Sequence, residues 1–159
     1  MAERPIEKCY WVVPGKLLAG EHPQNSDSIR KIEDAGIVSF IDLTEEDKHA
    51  PYDRWLEVAE YRRFPIEDYD IPKSNEHTIA ILNLIDDNLR NNRATYVHCY
   101  GGRGRTGTII GCWLARHGHQ GEAALKKLRE LWAHNPKSKR GLQTPETDEQ
   151  EQYIVEWKE

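Results

Sequence analysis

Methionine, phenylalanine and cysteine are scarce in this 159-residue chain, which has one, two and three of them. The cysteines (Cys9, Cys99 and Cys112) are odd in number and form no CxxC pair, which argues against a disulfide framework and for reduced thiols. No apolar run approaches the roughly 18 residues that a membrane helix needs, so membrane insertion is not expected. The first residues, Met1 to Pro5, carry no apolar leader-like stretch, and a cytoplasmic setting is the expectation. Positive charge is the smaller share: 22 Lys and Arg against 27 Asp and Glu, a net charge of −5. That balance excludes a general affinity for nucleic acid or an anionic membrane surface. His22, His49, His77, His117, His119 and His134 lack metal-ligand spacing, so no metal site and no cofactor are expected. Internal repeats and low-complexity segments are also missing.

What is present describes an ordinary globular chain, 31% charged and 38% hydrophobic. Residues 1–159 read as one domain, long enough to bury a core without disulfides or a structural metal. Short apolar runs alternate with helical patterns, the mark of an α/β fold. Trp11-Val12-Val13 and Leu17-Leu18-Ala19 flank a Pro14-Gly15 turn and predict a hairpin. Ser26 or Asp27 is a cap for a helix through Ala35, ended by Gly36. Ile37 to Leu43 is a nearly continuous apolar strand, as in a sheet covered on both faces. Another strand follows at Tyr61–Phe64, and Ser74 or Asn75 opens a helix carrying Thr78, Leu82, Ile85 and Leu89. Thr95 to His98 is a short buried strand running into Cys99. Thr106 to His117 is apolar nearly all round and belongs in the middle of the domain. The helix through Ala124, Leu125, Leu128 and Trp132 is amphipathic, and Asn135 to Gln143 reads as a polar, basic loop. Thr144-Pro145 predicts the start of a last helix, with Tyr153, Ile154 and Trp157 facing in.

The chemistry concentrates in His98-Cys99-Tyr100-Gly101-Gly102-Arg103-Gly104-Arg105-Thr106-Gly107. A buried strand enters this segment and a buried helix leaves it. Gly101, Gly102 and Gly104 let the backbone curl with its N–H groups pointing inward. Such a nest, backed by a helix N-terminus, takes a phosphate-sized anion. In the same field Cys99 is favoured as thiolate, the nucleophilic form. Arg105 can grip two phosphoryl oxygens with its planar fork, which lysine cannot copy. Thr106 can donate its hydroxyl to the sulfur, and the His98 ring can bond loop carbonyls and fix the cysteine. A lone Cys-x5-Arg pair is common by chance, but three glycines between a strand and a helix are not.

The stretch resembles the His-Cys-x5-Arg-Ser/Thr signature of the protein tyrosine and dual-specificity phosphatases. His-Cys-Tyr-Gly-Gly-x-Gly-Arg is similar to the form found in kinase-associated phosphatases and small microbial enzymes. The resemblance implies a mixed, largely parallel central sheet flanked by helices, and hydrolysis through a phosphocysteine without metal. Tyr100, Gly101, Gly102, Arg103, Gly104 and Thr106 would line the substrate phosphate. The family places its general acid about thirty residues before the cysteine, where Phe64-Pro65-Ile66-Glu67-Asp68-Tyr69-Asp70 sits. Pro65-Ile66-x-Asp68 makes Asp68 the choice, with Asp70 next and Glu67 third. Asp42, at a strand end, reads as structural. Gln143 and Gln150 are both eligible for the family's water-positioning glutamine. Arg103 sits where phosphoinositide-directed relatives are basic, although an exposed, solvated arginine explains it as well. The implied substrates are phosphorylated proteins or peptides, with inositol phosphates the alternative, for an enzyme acting as a monomer. A phospho-binding protein without activity would be expected to lose the cysteine, the arginine or the acid, and all three types are present.

Overall fold

In a computed structural model, which describes residues 3–159, the chain runs β1 (Cys9–Val13), β2 (Leu17–Gly20), α1 (Ser26–Asp34), β3 (Ser39–Asp42), β4 (Glu60–Arg63), α2 (Asn75–Arg90), β5 (Thr95–His98), α3 (Arg105–Arg116), α4 (Glu122–Trp132) and α5 (Asp148–Glu156). The strands form a sheet of order β1-β2-β5-β3-β4. Only β1 and β2 pair antiparallel, across the predicted Pro14-Gly15 turn; the other neighbours are parallel. The mixed, largely parallel α/β sheet implied by the signature is thus the observed one.

Alternation along the central strands sorts the core into two layers. Leu17, Ala19, Ile41 and Val97 pack with residues of α2, α3, α4 and α5 on one face. Leu18, Phe40 and Tyr96 pack with Ile29 and Ile32 of α1 on the other. Because both faces are covered, β2, β3 and β5 are buried along their whole length. Helix α3 lies deepest, with every residue from Arg105 to Ala115 buried. It approaches α5 where Gly111 faces Ile154, so closely that a Cβ at Gly111 would lie 2.5 Å from Ile154 Cδ1. No described helix is long and apolar enough to cross a membrane.

Three local expectations need correction. Helix α1 is capped by Asn25, whose side chain accepts from Ser28 N, rather than by Ser26 or Asp27. Residues Pro136–Arg140 form a 3₁₀ helix instead of a plain loop, opened by Asn135 accepting from Lys137 N. Helix α5 starts at Asp148, not at Pro145. Its cap is Thr147, in a reciprocal pair with Gln150 that satisfies two otherwise orphaned N–H groups. Thr144 is buried against the Cys99 segment instead, donating its hydroxyl to Arg103 O at 2.6 Å.

Candidate active site

The parallel strands all end on one edge of the sheet, the usual place for a site in an open α/β fold. Strand β5 delivers Cys99 there, β3 ends at Asp42, and the chain leaving β4 carries Asp68 back. Register sets the depth of the loop: His98 pairs with Gly20 on one side and Asp42 on the other. Gly102 has φ +72°, and a Cβ there would lie 2.4 Å from the Gly20 carbonyl carbon. The loop therefore rests directly on the end of β2, a contact only glycine permits.

A cleft of about 200 Å³ opens over this loop, lined by Cys99, Arg105 and Asp68 among others. The Cys99 sulfur lies near the floor, 2% exposed, and accepts the Gly102 N–H at 3.2 Å. That bond and the N-terminus of α3 behind the loop turn partial positive charge toward the sulfur. Arg105 is equally buried. Its Nη1 donates to Glu45 Oε1 at 3.2 Å and to the Ile66 carbonyl at 3.1 Å, and its Nη2 lies 3.2 Å from Asp68 Oδ1. The guanidinium is thus aimed by two carboxylates and a carbonyl, while the Asp68 side chain stays 42% exposed.

Beneath the loop, the His98 ring is fully buried between two partners. Nδ1 donates to the Cys99 carbonyl at 3.0 Å, so Nε2 is the acceptor for the Tyr52 hydroxyl. Burial lowers the His98 pKa to about 4, against the raising effect of Asp42, so the ring is neutral at physiological pH. Burial alone would raise Asp42. His98 together with the hydrogen bonds from Thr44 and Tyr61 outweighs this and holds the carboxyl at about 2. Asp42 also pairs with Arg63 at 3.0 Å, which fits the structural role read for it. Burial pushes the Cys9 thiol up to about 11 and Cys112 higher still, so neither is suited to be a nucleophile.

The structure brings Cys99, Arg105 and Asp68 together, with Tyr100, Gly101, Arg103 and Gly104 around the same cleft. Gly102 sits behind them. Asp70 accepts its own turn's Ile71 N–H and does not line the cleft; nor does Glu67. Thr106 departs from expectation: its buried hydroxyl has no partner among the described residues, and the sulfur takes the Gly102 N–H instead. Of the two glutamines, Gln143 is exposed and uses its side chain on Thr144 N. Gln150 is buried, bonds Glu146 N and Thr147 N, and donates to Asp70 O at 3.1 Å, tying α5 to the segment that carries Asp68. Arg103 is not a free solvated cation. Its Nε donates to Gln143 O and its Nη1 pairs with Glu146 at 3.0 Å.

Sequence reasoning missed Glu45, Tyr52, Lys137 and Glu146. Glu45 had a legible signal, since it follows the C-terminal end of a strand that had to end beside Cys99. The others come from turns and the segment before α5, whose packing no local pattern announces. The same holds for His77, which meets Pro65 O at 3.0 Å and anchors the start of the segment that carries Asp68. Among the described residues there is no cluster suited to hold a metal ion.

Comparison with known proteins agrees with this geometry. Residues 6–154 match the model of the Swiss Army Knife DSP-PTPase phosphatase domain. A candidate tyrosine phosphatase of invertebrate iridescent virus 3 is 32% identical over 114 residues, 69% of this chain and 47% of the viral protein. A phosphatidylglycerophosphate phosphatase of Arabidopsis thaliana is 30% identical over 123 residues, 72% of this chain and 35% of the plant protein. The chain therefore spans less than half the length of either relative. Among solved structures, Tk-PTP in its active form superposes with a TM-score of 0.77 at 23% identity, covering 92% of this chain and 93% of that one. The fold, the match over nearly the whole chain and the Cys99–Arg105 loop lead to one conclusion: this chain belongs to the DSP-PTPase phosphatase family.

Proposed function

We propose that the chain hydrolyses phosphomonoesters through a phosphocysteine, with Cys99 as nucleophile, Arg105 as phosphate clamp and Asp68 as general acid and base. The observation that carries this reading is the convergence of these three side chains on one cleft. The Cys99 thiolate attacks phosphorus, and the bond to the leaving oxygen breaks as that oxygen takes a proton from Asp68. Water then attacks the phosphocysteine, Asp68 takes a proton from it, and the S–P bond breaks to return thiolate and phosphate. Arg105 grips two non-bridging oxygens throughout, where planar, bidentate donors stabilise the transition state most. Asp68 pairs with Arg105 at 3.2 Å. An arriving phosphate dianion takes over the guanidinium and frees Asp68 to meet the leaving oxygen.

For substrate, phosphorylated tyrosine of proteins is the first reading, with phosphoserine and phosphothreonine alongside. Tyr69 and Tyr100 support it: both line the cleft and are 63% and 62% exposed, placed to flank an aromatic ring. A second reading, inositol phosphates or phosphoinositides, is supported by the cations at the cleft, Arg103 and Lys137. The test is turnover of phosphotyrosine, phosphoserine and phosphothreonine peptides beside inositol phosphates, all in excess chelator. Cys99→Ser should abolish turnover of each while still binding vanadate. Substantial residual turnover in that variant, or a strict need for added divalent metal, would overturn the mechanism.

A further inference from the structure

The turn that leaves β3 touches the cleft residues twice. Glu45 opens it and aims Arg105, its Oε1 lying 3.2 Å from Nη1. His49 closes it, and its ring stacks on that of Tyr100, with centroids 4.9 Å apart and planes 22° from parallel. The turn is braced between these two ends. Lys48 N and His49 N both donate to Glu45 O, and Arg63 of β4 donates to His49 O at 2.7 Å while pairing with the buried Asp42. Tyr100 is braced from a second side. Its carbonyl accepts His22 N at 3.0 Å, and the His22 ring meets the buried rings of His98 and Tyr52 edge-on, at 5.1 and 5.4 Å. One face of the Tyr100 ring is thus covered by His49, yet the side chain lines the cleft and is 62% exposed, which leaves its other face open. Tyr69, the other exposed aromatic at the cleft, stacks on no ring among the described residues.

We infer that His49 is a positioning residue: it holds the Tyr100 ring as a preformed wall of the cleft, against which an aryl phosphate stacks and an alkyl phosphate does not. An exposed tyrosine that swings freely must give up rotamer freedom when a ligand stacks on it. A tyrosine already laid against His49 has given that freedom up in folding, so more of the stacking energy is left for the substrate ring. Glu45 and His49 belong to one short turn, so a single element sets both the clamp for the phosphate and the wall for the ring. A substrate that spans the two is favoured over one that meets the clamp alone. This inference rests on the reading of the Cys99 cleft as the site of phosphoryl transfer, and it deepens the phosphotyrosine reading.

The experiment measures kcat and KM on a phosphotyrosine peptide and on the phosphothreonine peptide of the same sequence. Wild type is compared with His49→Ala, His49→Phe, Tyr100→Ala and the double variant His49→Ala/Tyr100→Ala. Wild type should prefer the phosphotyrosine peptide. His49→Ala should reduce that preference about fivefold, mainly through KM, and His49→Phe, which keeps a ring in the stack, should restore most of it. Tyr100→Ala should lose at least as much of the preference, and adding His49→Ala to it should change little further. Should the alanine variant unfold, His49→Leu fills the space without a planar face and takes its place in each comparison. Equal losses on the two peptides in His49→Ala would overturn the inference, reducing His49 to a brace for its own turn. Additive losses in the double variant, or a wild type indifferent between the peptides, would overturn it too. No turnover of an activated aryl phosphate by wild type would instead sink the phosphatase reading of the cleft, a separate failure.

Discussion

Arg105 has three protein partners, and in the clamp role proposed for it one of them gives way to substrate. Its two nitrogens face Glu45, the Ile66 carbonyl and Asp68, which fixes the plane of the fork before any ligand arrives. A lysine there would keep the charge and lose the plane. Arg105→Lys should therefore cost well over tenfold in kcat/KM, more than about 1.4 kcal/mol of transition-state stabilisation. A smaller loss in steady-state kinetics would remove Arg105 from the clamp role. For Asp68 the test is the leaving group. Asp68→Asn should slow a phosphotyrosine or alkyl phosphate by about 10²-fold or more and an activated aryl phosphate less. It should also erase the basic limb of the pH–rate profile, while Asp70→Asn should not. Loss of that limb in Asp70→Asn alone would exchange the two roles. The expectation for Thr106 did not survive, because sequence spacing says which residues share a loop but not which donor reaches the sulfur. Gly102 N–H does so because its φ of +72° turns that peptide inward.

At the scale of elements, the site depends on how α3 is seated. It is wedged between the sheet and α5, and Gly111 lets the two helices meet without room for a methyl group. Gly111→Ala would force a Cβ to 2.5–2.9 Å from three Ile154 side-chain carbons. The expected loss is about 1–3 kcal/mol, read from denaturant unfolding. Ile154→Ala in the same chain should return part of it, by filling one cavity with the other change. Additive losses in the double variant would show that the two side chains do not oppose each other. The positions of β5 and α3 were legible because a run of buried residues on either side of a glycine-rich turn has few other readings. The start of α5 was not. Thr144-Pro145 looks like a cap and first turn, yet Thr144 serves the Arg103 carbonyl, while Thr147 and Gln150 make the cap. Tertiary contact decided between two chemically eligible starts.

For the molecule as a whole, the buried polar layer beneath the loop couples folding to acidity. His98 has a pKa of about 4 in the folded chain, below the ordinary 6.5, and Asp42 about 2, below 3.8. In both cases the unfolded chain binds the proton more readily. Their contributions are therefore intact above pH 6.5 and are lost as pH falls, through 6.5 to 4 for His98 and 3.8 to 2 for Asp42. Melting temperature should decline steadily from pH 7 to pH 4, and His98→Gln should flatten that decline. A slope unchanged in the variant would place the titrating group elsewhere. The α/β class and the strand-to-helix turn where the chemistry gathers could be read from sequence. The layer of Tyr52, Tyr61, Arg63 and Asp42 beneath it could not, since its members come from three separate stretches joined only by the fold.

The pairing of Arg105 with Asp68 has a consequence for the solution in which the protein works. A positively charged pocket left bare would be occupied much of the time by chloride and other abundant monoanions. Here any visitor must displace a tethered carboxylate that is already in contact with the guanidinium. A singly charged ion gains too little from the exchange, whereas a phosphate ester with two negative charges and several acceptor oxygens gains enough to take the place. In the roles proposed for these two residues, the chain carries its own competitor, and the threshold it sets would filter the charge of what is admitted.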